Sequence, residues 1–319
     1  MKVFVSCDLP GHALKRLKAQ CEVTVNSKGQ LTPQQLAQEA KGYDGIITML
    51  SDIVDESVIQ TLKDQLKVIA NYAVGYNNID VDCATKWGIY VANTPDVLTN
   101  ATAEVAIALM FACARKVVQS DKLVRNGEFA GWKPDLMLGQ DVFGKKLGVI
   151  GAGRIGRRVL CAARGLGMEI YYHNRQQNLE AEQLGAKYVS LKELLGECDY
   201  ISIHCPLTDQ AYHLIGKTEL EMMKKTAILI NTARGPVVDE KALCEALQNG
   251  EILSAGLDVY EREPQVEPQL LTMENVVLLP HIGSATYATR EKMADMVVDA
   301  VLSGIKGECP QNAVNVVQR

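Results

Sequence analysis

Four side chains suited to acid–base and ion-pair chemistry lie at or near short apolar runs in the second half of the chain. Arg234 and His281 each follow such a run. Asp258 lies within another, and Glu263 comes five residues later. Arginine can hold a carboxylate through two parallel hydrogen bonds, histidine can deliver a proton near neutral pH, and a glutamate beside that histidine favours its protonated form. The set is typical of keto-acid reduction, although each residue alone is equally compatible with a surface charge, a loop acid or a buried histidine.

A glycine-rich segment indicates a dinucleotide site. An apolar run at 147–150 precedes GAGRIG, and a helical pattern follows it. In such a segment Gly151 allows the tight turn, Gly153 lets a pyrophosphate approach the backbone, and Gly156 lets helix and strand pack closely. The candidate cofactor residues here are Gly151, Gly153, Arg154, Ile155 and Gly156. The alternative is a tight turn that binds nothing.

The end of the next apolar run predicts which dinucleotide is preferred. Asn174 and Arg175 stand where an NAD site carries an acidic residue that holds the ribose hydroxyls. A carboxylate would repel a 2′-phosphate, whereas asparagine accepts it and arginine can pair with it. We therefore expect NADP(H) to be preferred and NAD(H) to be usable. A solvated turn that happens to carry an arginine is the alternative.

Apolar runs alternate with helical stretches along the whole chain, which predicts an α/β fold with two doubly wound parallel sheets. Thr32, with Gln35 three residues later, predicts a capped helix start, and Ser190 with Glu193 and Thr218 with Glu221 predict two more. One long helix is predicted over 99–125, as a connection between two domains. The runs that end in Arg234 and His281 would be strands, whose carboxyl ends are where parallel sheets bind ligands.

The last helix, predicted over about 286–305, carries an apolar stripe that could pack on the first sheet. Its members are Met293, Met296, Val297, Ala300 and Val301. This predicts a discontinuous substrate-binding domain of residues 1–98 and 288–319. Residues 99–287 would form the NAD(P)-binding domain.

Composition excludes several classes of function. The 33 Lys and Arg against 38 Asp and Glu give a formal charge of −5, and aromatic residues make up 5%. A basic field is needed for general binding to nucleic acid or to anionic membranes, so neither partner is expected. Nine cysteines without a CxxC pair predict reduced thiols in a cytoplasmic protein. No ligand pair has metal spacing, so no metal site is expected.

The chain resembles the D-isomer specific 2-hydroxyacid dehydrogenases, and among them the glyoxylate/hydroxypyruvate reductases most. The segments that carry the resemblance are Ala70–Tyr76, Val91–Ala101, Gly151–Gly156, Asn231–Gly235, Gly256–Val259, Glu263–Pro264 and Pro280–Ser284. They span nearly the whole chain in the order and spacing of the family. Asn77 departs from the pattern, since the family usually has aspartate there.

The resemblance implies a Rossmann cofactor domain inserted in a flavodoxin-like substrate domain, with Arg234, Glu263 and His281 as the catalytic trio. The residues that would hold the substrate are Leu50, Ser51, Val74, Gly75, Arg234 and His281. Those that would line the cofactor cleft are Cys205, Pro206, Thr232, Ala233 and Asp258, the last beside the nicotinamide amide. The substrate would be a small 2-oxo or 2-hydroxy acid. The loop at Trp132 would help to form a homodimer.

Three alternatives stay open at this point. The chain could be a D-3-phosphoglycerate dehydrogenase or another D-2-hydroxyacid dehydrogenase, or a dinucleotide-sensing protein similar to the transcriptional corepressors with this fold.

His204, at the end of a buried run, is more consistent with a core histidine than with a ligand. Cys205 has no neighbouring base in the sequence that would make it a nucleophile.

Overall fold

The computed structural model describes residues 1–317, which separate into two units. The first comprises Met1–Leu98 and the C-terminal segment that begins at Ser284, and the second is Thr99–Gly283. The last two residues of the predicted segment 288–319 lie outside the described residues. The assignment of substrate and cofactor to the two units stays a proposal.

Five parallel strands form the sheet of the first unit, in the order β2-β1-β3-β4-β5. The strands are β1 (Lys2–Val5), β2 (Glu22–Val25), β3 (Gly45–Thr48), β4 (Val68–Asn71) and β5 (Tyr90–Ala92). The helices are α1 (Ala13–Lys18), α2 (Pro33–Glu39), α3 (Glu56–Leu62), α4 (Val81–Lys86) and, from the C-terminal segment, α12 (Tyr287–Ile305). This strand order is the flavodoxin-like doubly wound one.

Helix α12 packs on β3 and β4 of its own unit. Four of the five residues of its predicted apolar stripe are buried, and Met296 is half-buried. The start of α2 also follows the sequence, because Thr32 accepts from the Gln35 amide and the Gln35 side chain accepts from the Thr32 amide. Local signals therefore determine both of these helices.

Seven parallel strands form the sheet of the second unit, in the order β12-β11-β10-β9-β6-β7-β8. The strands are β6 (Lys146–Ile150), β7 (Glu169–His173), β8 (Lys187–Tyr188), β9 (Tyr200–Ile203), β10 (Ile228–Asn231), β11 (Ser254–Leu257) and β12 (Val276–Leu278). The helices are α5 (Thr99–Ala114), α6 (Val117–Arg125), α7 (Arg154–Gly165), α8 (Leu179–Gln183), α9 (Leu191–Glu197), α10 (Lys217–Glu221) and α11 (Glu240–Gln248). Its order reverses between β6 and β9, as in Rossmann sheets, so the predicted fold class is confirmed.

The second sheet is covered on both faces. Leu229 belongs to one buried apolar cluster, whereas its neighbours Ile228 and Ile230 belong to another. Successive side chains of a strand point to opposite faces, so the two clusters lie on either side of the sheet. Within the described residues, no helix is long and apolar enough to cross a membrane.

The structure corrects two of the predicted helices. The single helix expected over 99–125 is two helices, α5 and α6, because Lys116 between them has a φ of +50°. Helix α5 packs on β10 and β11, so it covers the second sheet and is no mere connection. The predicted capping box of Thr218 with Glu221 is also wrong: Gly216 precedes α10, and its amide donates to Glu219.

Candidate active site

A hydrogen-bonded His281–Glu263 pair lies in the two loops that follow β12 and β11. His281 Nδ1 is 2.8 Å from Glu263 Oε2, and the backbone amide of Tyr260 donates to Glu263 Oε1. The two side chains are 26% and 28% exposed, so the pair is partly open to a ligand. Burial raises the pKa of Glu263, but the hydrogen bond and charge of His281, the Tyr260 amide and the Arg234 charge together lower it below its ordinary value. The carboxylate is therefore charged and can stabilise an imidazolium.

Asp258 holds the turn that presents His281. Its side chain is 1% exposed, and its two carboxylate oxygens accept the amides of Ile282 at 2.7 Å and Gly283 at 2.8 Å. His281 itself has a φ of +54°, a backbone conformation that non-glycine residues rarely adopt. Asp258 thus acts on the backbone beside His281, while its predicted contact with a nicotinamide amide stays a prediction.

Arg234 is placed by the turn at the end of β10. Asn231 Oδ1 accepts the Ala233 amide and Asn231 Nδ2 donates to the Arg234 carbonyl oxygen, at 3.0 and 2.9 Å. Arg234 Nη1 donates to the Ala233 carbonyl oxygen at 2.7 Å. Burial lowers the pKa of Arg234, and the Glu263 charge acts against that effect. Arg234, Glu263 and His281 are therefore electrostatically linked in one region of the second unit.

Gly235 explains why this turn lies against the loop that carries Glu263. A Cβ at this position would stand 1.8 Å from the carbonyl carbon of Tyr260. Only glycine leaves room for so close an approach between the two backbones. Neither Asn231 nor Gly235 was among the predicted site residues, although both lie in a segment that carries the family resemblance.

The glycine-rich segment joins β6 to α7 as predicted. Gly151 has a φ of +95°, and a Cβ there would lie 2.4 Å from the Cys205 amide nitrogen. Gly153 precedes the first turn of α7, and nothing lies within 4 Å of the Cβ it lacks. The amides of Arg154 and Ile155 open that turn. An exposed glycine directly before the first amides of a helix suits a pyrophosphate.

Asn174 forms a bond that the sequence did not indicate. Its Oδ1 accepts the backbone amide of Ala152 at 2.7 Å, and Asn178 Nδ2 donates to the Ala152 carbonyl oxygen at 2.9 Å. These two side chains, which follow β7, therefore fix the middle of the glycine loop. Arg175 is exposed. Contact of Asn174 and Arg175 with a ribose phosphate stays a prediction.

The other predicted cofactor residues follow β9, which neighbours β6 in the sheet, and β10, which neighbours β9. These residues are Cys205, Pro206, Thr232 and Ala233. Burial raises the pKa of Cys205 to about 11, so this thiol is protonated and is no nucleophile at neutral pH. Burial lowers the pKa of His204 to about 3, and its Nε2 pairs with Ser202 Oγ at 2.8 Å. His204 is thus a neutral, partly buried histidine held by Ser202.

Side-chain amides of asparagines hold the proposed substrate loops of the first unit. Leu50 and Ser51 are exposed after β3, and Asn78 Nδ2 donates to the carbonyl oxygens of Met49 and Asp52 on either side of them. The Asp52 carboxylate accepts the Met49 amide at 2.7 Å.

The second of these loops follows β4. Asn71 Nδ2 donates to the Gly75 carbonyl oxygen at 2.8 Å, and Asn93 Nδ2 donates to that of Val74 at 2.7 Å. Because these carbonyl groups accept hydrogen bonds, the backbone amides of the same loop are held in fixed directions. Asparagines at the ends of apolar runs were the available signal for these supports.

Comparison with known proteins agrees with this geometry. Residues 107–283 match the model for the D-isomer specific 2-hydroxyacid dehydrogenase, NAD binding domain. The glyoxylate reductase of Thermococcus litoralis is 46% identical over 98% of this chain and 96% of that protein. The chain belongs to the D-isomer specific 2-hydroxyacid dehydrogenase family.

Solved structures of similar proteins cover almost all of this dehydrogenase. A glyoxylate reductase from Paecilomyes thermophila has a TM-score of 0.88 and 38% identity, with 98% of each chain covered. An NADPH-dependent glyoxylate/hydroxypyruvate reductase from Sinorhizobium meliloti, solved with NADP and malonate, has a TM-score of 0.89 and 31% identity over 100% of this chain and 98% of that one. The family expected from the sequence is confirmed.

Proposed function

We propose that this dehydrogenase reduces glyoxylate or hydroxypyruvate with NAD(P)H to the corresponding D-2-hydroxy acid. The observation that carries the proposal is the 2.8 Å His281–Glu263 hydrogen bond in the same unit as the glycine loop. A proton donor and a dinucleotide site are the two parts that a keto-acid reduction needs. Relatives about half identical over the full chain are glyoxylate reductases, which supports the substrate class.

Each member of the trio has one role. When bound, the nicotinamide ring supplies a hydride to C2 of the 2-oxo acid. His281 donates a proton to the oxygen on which negative charge develops, and Glu263 stabilises the imidazolium before that transfer. Arg234 orients the carboxylate and the carbonyl through its planar guanidinium. The fixed amides at Leu50–Ser51 and Val74–Gly75 are assigned to the substrate carboxylate.

Gly151, Gly153, Arg154, Ile155 and Gly156 are assigned to the pyrophosphate, and NADP(H) is the preferred cofactor. Asn174 supports this preference because its Oδ1 is occupied by the Ala152 amide, which leaves the Nδ2 donor for a phosphate oxygen. Arg175 adds an exposed positive charge beside it. NAD(H) remains usable, since nothing in this pair rejects a ribose without the phosphate.

A homodimer in the cytoplasm completes the proposal. The segment 117–143 carries large apolar side chains that are exposed in the single chain, among them Val117, Val124, Phe129, Trp132, Leu138 and Phe143. Trp132 is 82% exposed. A patch of this kind favours a partner protein surface. All nine cysteines are free thiols, which is typical of a reducing compartment.

The test is NADPH oxidation with glyoxylate, hydroxypyruvate and a phosphorylated hydroxypyruvate. We expect turnover of the first two, and His281→Ala should lower kcat by roughly 10²–10⁴-fold, the usual contribution of a general acid. His12→Ala, an exposed histidine of the first unit, is the matched control. NADPH binding without turnover would favour a nucleotide sensor, and a preference for the phosphorylated acid would favour a phosphoglycerate dehydrogenase.

A further inference from the structure

Three side chains from distant parts of the second unit come together outside the site described above. His213 Nε2 is 3.1 Å from Glu261 Oε1, and His213 Nδ1 is 3.7 Å from Asp239 Oδ2. One ligand atom from each residue lies within 4.8 Å of the other two. Within the described chain, this is the one group of three such residues at that spacing. We propose that His213, Asp239 and Glu261 bind one divalent transition-metal ion.

The chemistry of the three donors selects the class of ion. An imidazole with two carboxylates suits zinc, cobalt or nickel better than calcium or magnesium, which favour oxygen ligands alone. In a four-coordinate site the donor atoms lie about 2.0–2.2 Å from the ion and therefore about 3.4 Å from one another. Donors that lie within 4.8 Å of one another need to move inward by up to about 1.4 Å to bind one ion. Three protein ligands leave a fourth position for water.

The backbone already orders the three donors. His213 has a φ of +50° and its amide donates to the Pro236 carbonyl oxygen at 2.8 Å. The Asp239 amide donates to Ile215 at 3.0 Å, which links the segments that carry His213 and Asp239. The Glu261 amide donates to the buried Glu240 carboxylate at 2.8 Å. Fixed donors lose less conformational entropy when an ion binds.

Outer contacts orient two of the ligands. Asp239 Oδ1 accepts the amides of Lys241 and Ala242 at the start of α11, which directs Oδ2 towards His213. The His213 ring stacks on Tyr212 with the ring centres 4.0 Å apart. Such supporting contacts are typical of metal ligands, whose orientation they fix.

The surroundings favour a cation and leave room for water. The cluster lines a cavity of about 280 Å³. The carboxylates that line it outnumber the cationic side chains by four to two. The carboxylates are those of Asp239, Glu240, Glu261 and Glu267, and the cationic side chains are those of Lys241 and Arg262. A divalent ion would offset the excess negative charge. Since Glu261 lies two residues before Glu263, the ion would also restrain the loop that carries the proposed catalytic carboxylate.

Cobalt(II) is the probe, because its visible absorption reports the geometry of its ligands. Chelator-treated full-length protein is titrated with Co²⁺, and the absorption and the thermal unfolding temperature are followed. We expect one equivalent to bind and to raise Tm, as any ligand of the native state does. His213→Ala should abolish this binding. Asp239→Asn should weaken it at least about 10-fold, since the loss of an outer contact alone has an effect of that size.

Two matched variants control for surface binding and for folding. His12→Ala removes an exposed histidine elsewhere, and Asp55→Asn changes the capping aspartate of α3; both should bind Co²⁺ as the parent does. Asp239→Asn keeps a capping side chain on α11, so it decides the question if His213→Ala does not fold. Absence of Co²⁺ uptake by the parent, unchanged uptake by Asp239→Asn, or a thiolate-to-cobalt absorption band would each overturn the proposal.

Discussion

At the scale of single residues, the hydrogen bond between His281 and Glu263 has a direct consequence for pH dependence. His281 Nδ1 lies 2.8 Å from Glu263 Oε2, so the Glu263 carboxylate is placed to stabilise an imidazolium during turnover. Glu263→Gln removes that charge and keeps the shape of the side chain. We therefore expect the pH above which reduction declines to move to lower pH. The measurement is kcat/KM for glyoxylate against pH.

Glu197→Gln, an exposed carboxylate paired with Lys146, is the control for this experiment and should keep the parent profile. A profile that does not move in Glu263→Gln would show that the pair seen in the structure is not maintained during turnover.

The proposed preference for NADP(H) rests on two residues, Asn174 and Arg175. Asn174→Asp with Arg175→Ala introduces a charge that repels a 2′-phosphate and removes one that attracts it. A charge-assisted hydrogen bond contributes about 1.5–3 kcal/mol, so the ratio of kcat/KM for NADPH over NADH should fall by at least about 10-fold and reverse in favour of NADH. Arg164→Ala, a surface arginine of α7, is the control. A parent that prefers NADH would show that this turn does not reach the ribose.

The positions of the candidate catalytic residues at strand ends were predictable because each follows a strand in a recognisable segment. The side chains that hold these loops in place were not predictable. The bond from the Ala152 amide to Asn174 joins residues 22 positions apart, and the side-chain amides of Asn93 and Asn78 donate to backbone carbonyl groups of other loops. Such contacts depend on how strands lie beside one another, which no local pattern of one sequence specifies.

At the scale of elements, Asp199 links two strands of the second sheet. It precedes β9, its Oδ2 accepts the Lys146 amide at the start of β6, and its Oδ1 accepts from Lys224 Nζ at 2.8 Å. Burial raises the pKa of Asp199, but these hydrogen bonds and the Lys224 charge together lower it below its ordinary value. A lowered carboxyl pKa stabilises the fold above the unfolded value of about 3.9, and that contribution is lost as pH falls through the folded value.

Asp199→Asn should therefore lower the free energy of unfolding by about 1 kcal/mol at neutral pH, after allowance for the partial exposure of the pair. The difference from the parent should shrink as the pH falls below the unfolded value of about 3.9 and through the lower folded value, because the Asp199 carboxyl then becomes protonated and uncharged like the asparagine. Urea unfolding at several pH values measures it, with the exposed Asp209→Asn as control. A difference that is independent of pH would assign the effect to packing alone.

The pattern of apolar runs predicts most strands but neither edge strand β2 nor β8. Strand β2 has four residues, of which none is buried, and β8 has two exposed ones. These two strands bury too little apolar surface to leave a run in the sequence, unlike the edge strand β5, whose three residues are all buried. The break between α5 and α6 at Lys116 was not predicted because the residues on both sides of it favour helix.

At the scale of the whole molecule, the apolar side chains exposed in the segment 117–143 predict the oligomeric state. One chain has a mass of 34.9 kDa, so light scattering on the parent should give twice that value. Trp132→Ser with Phe143→Ser removes two large apolar side chains that are 82% and 67% exposed in the single chain. If these side chains are buried against a second copy, their loss should shift the protein towards the monomer as it is diluted. Tyr287→Ser, at a side chain that is 93% exposed in the first unit, should leave the mass unchanged. If the parent has the mass of a monomer at all concentrations, the proposed homodimer contact through this apolar segment is wrong.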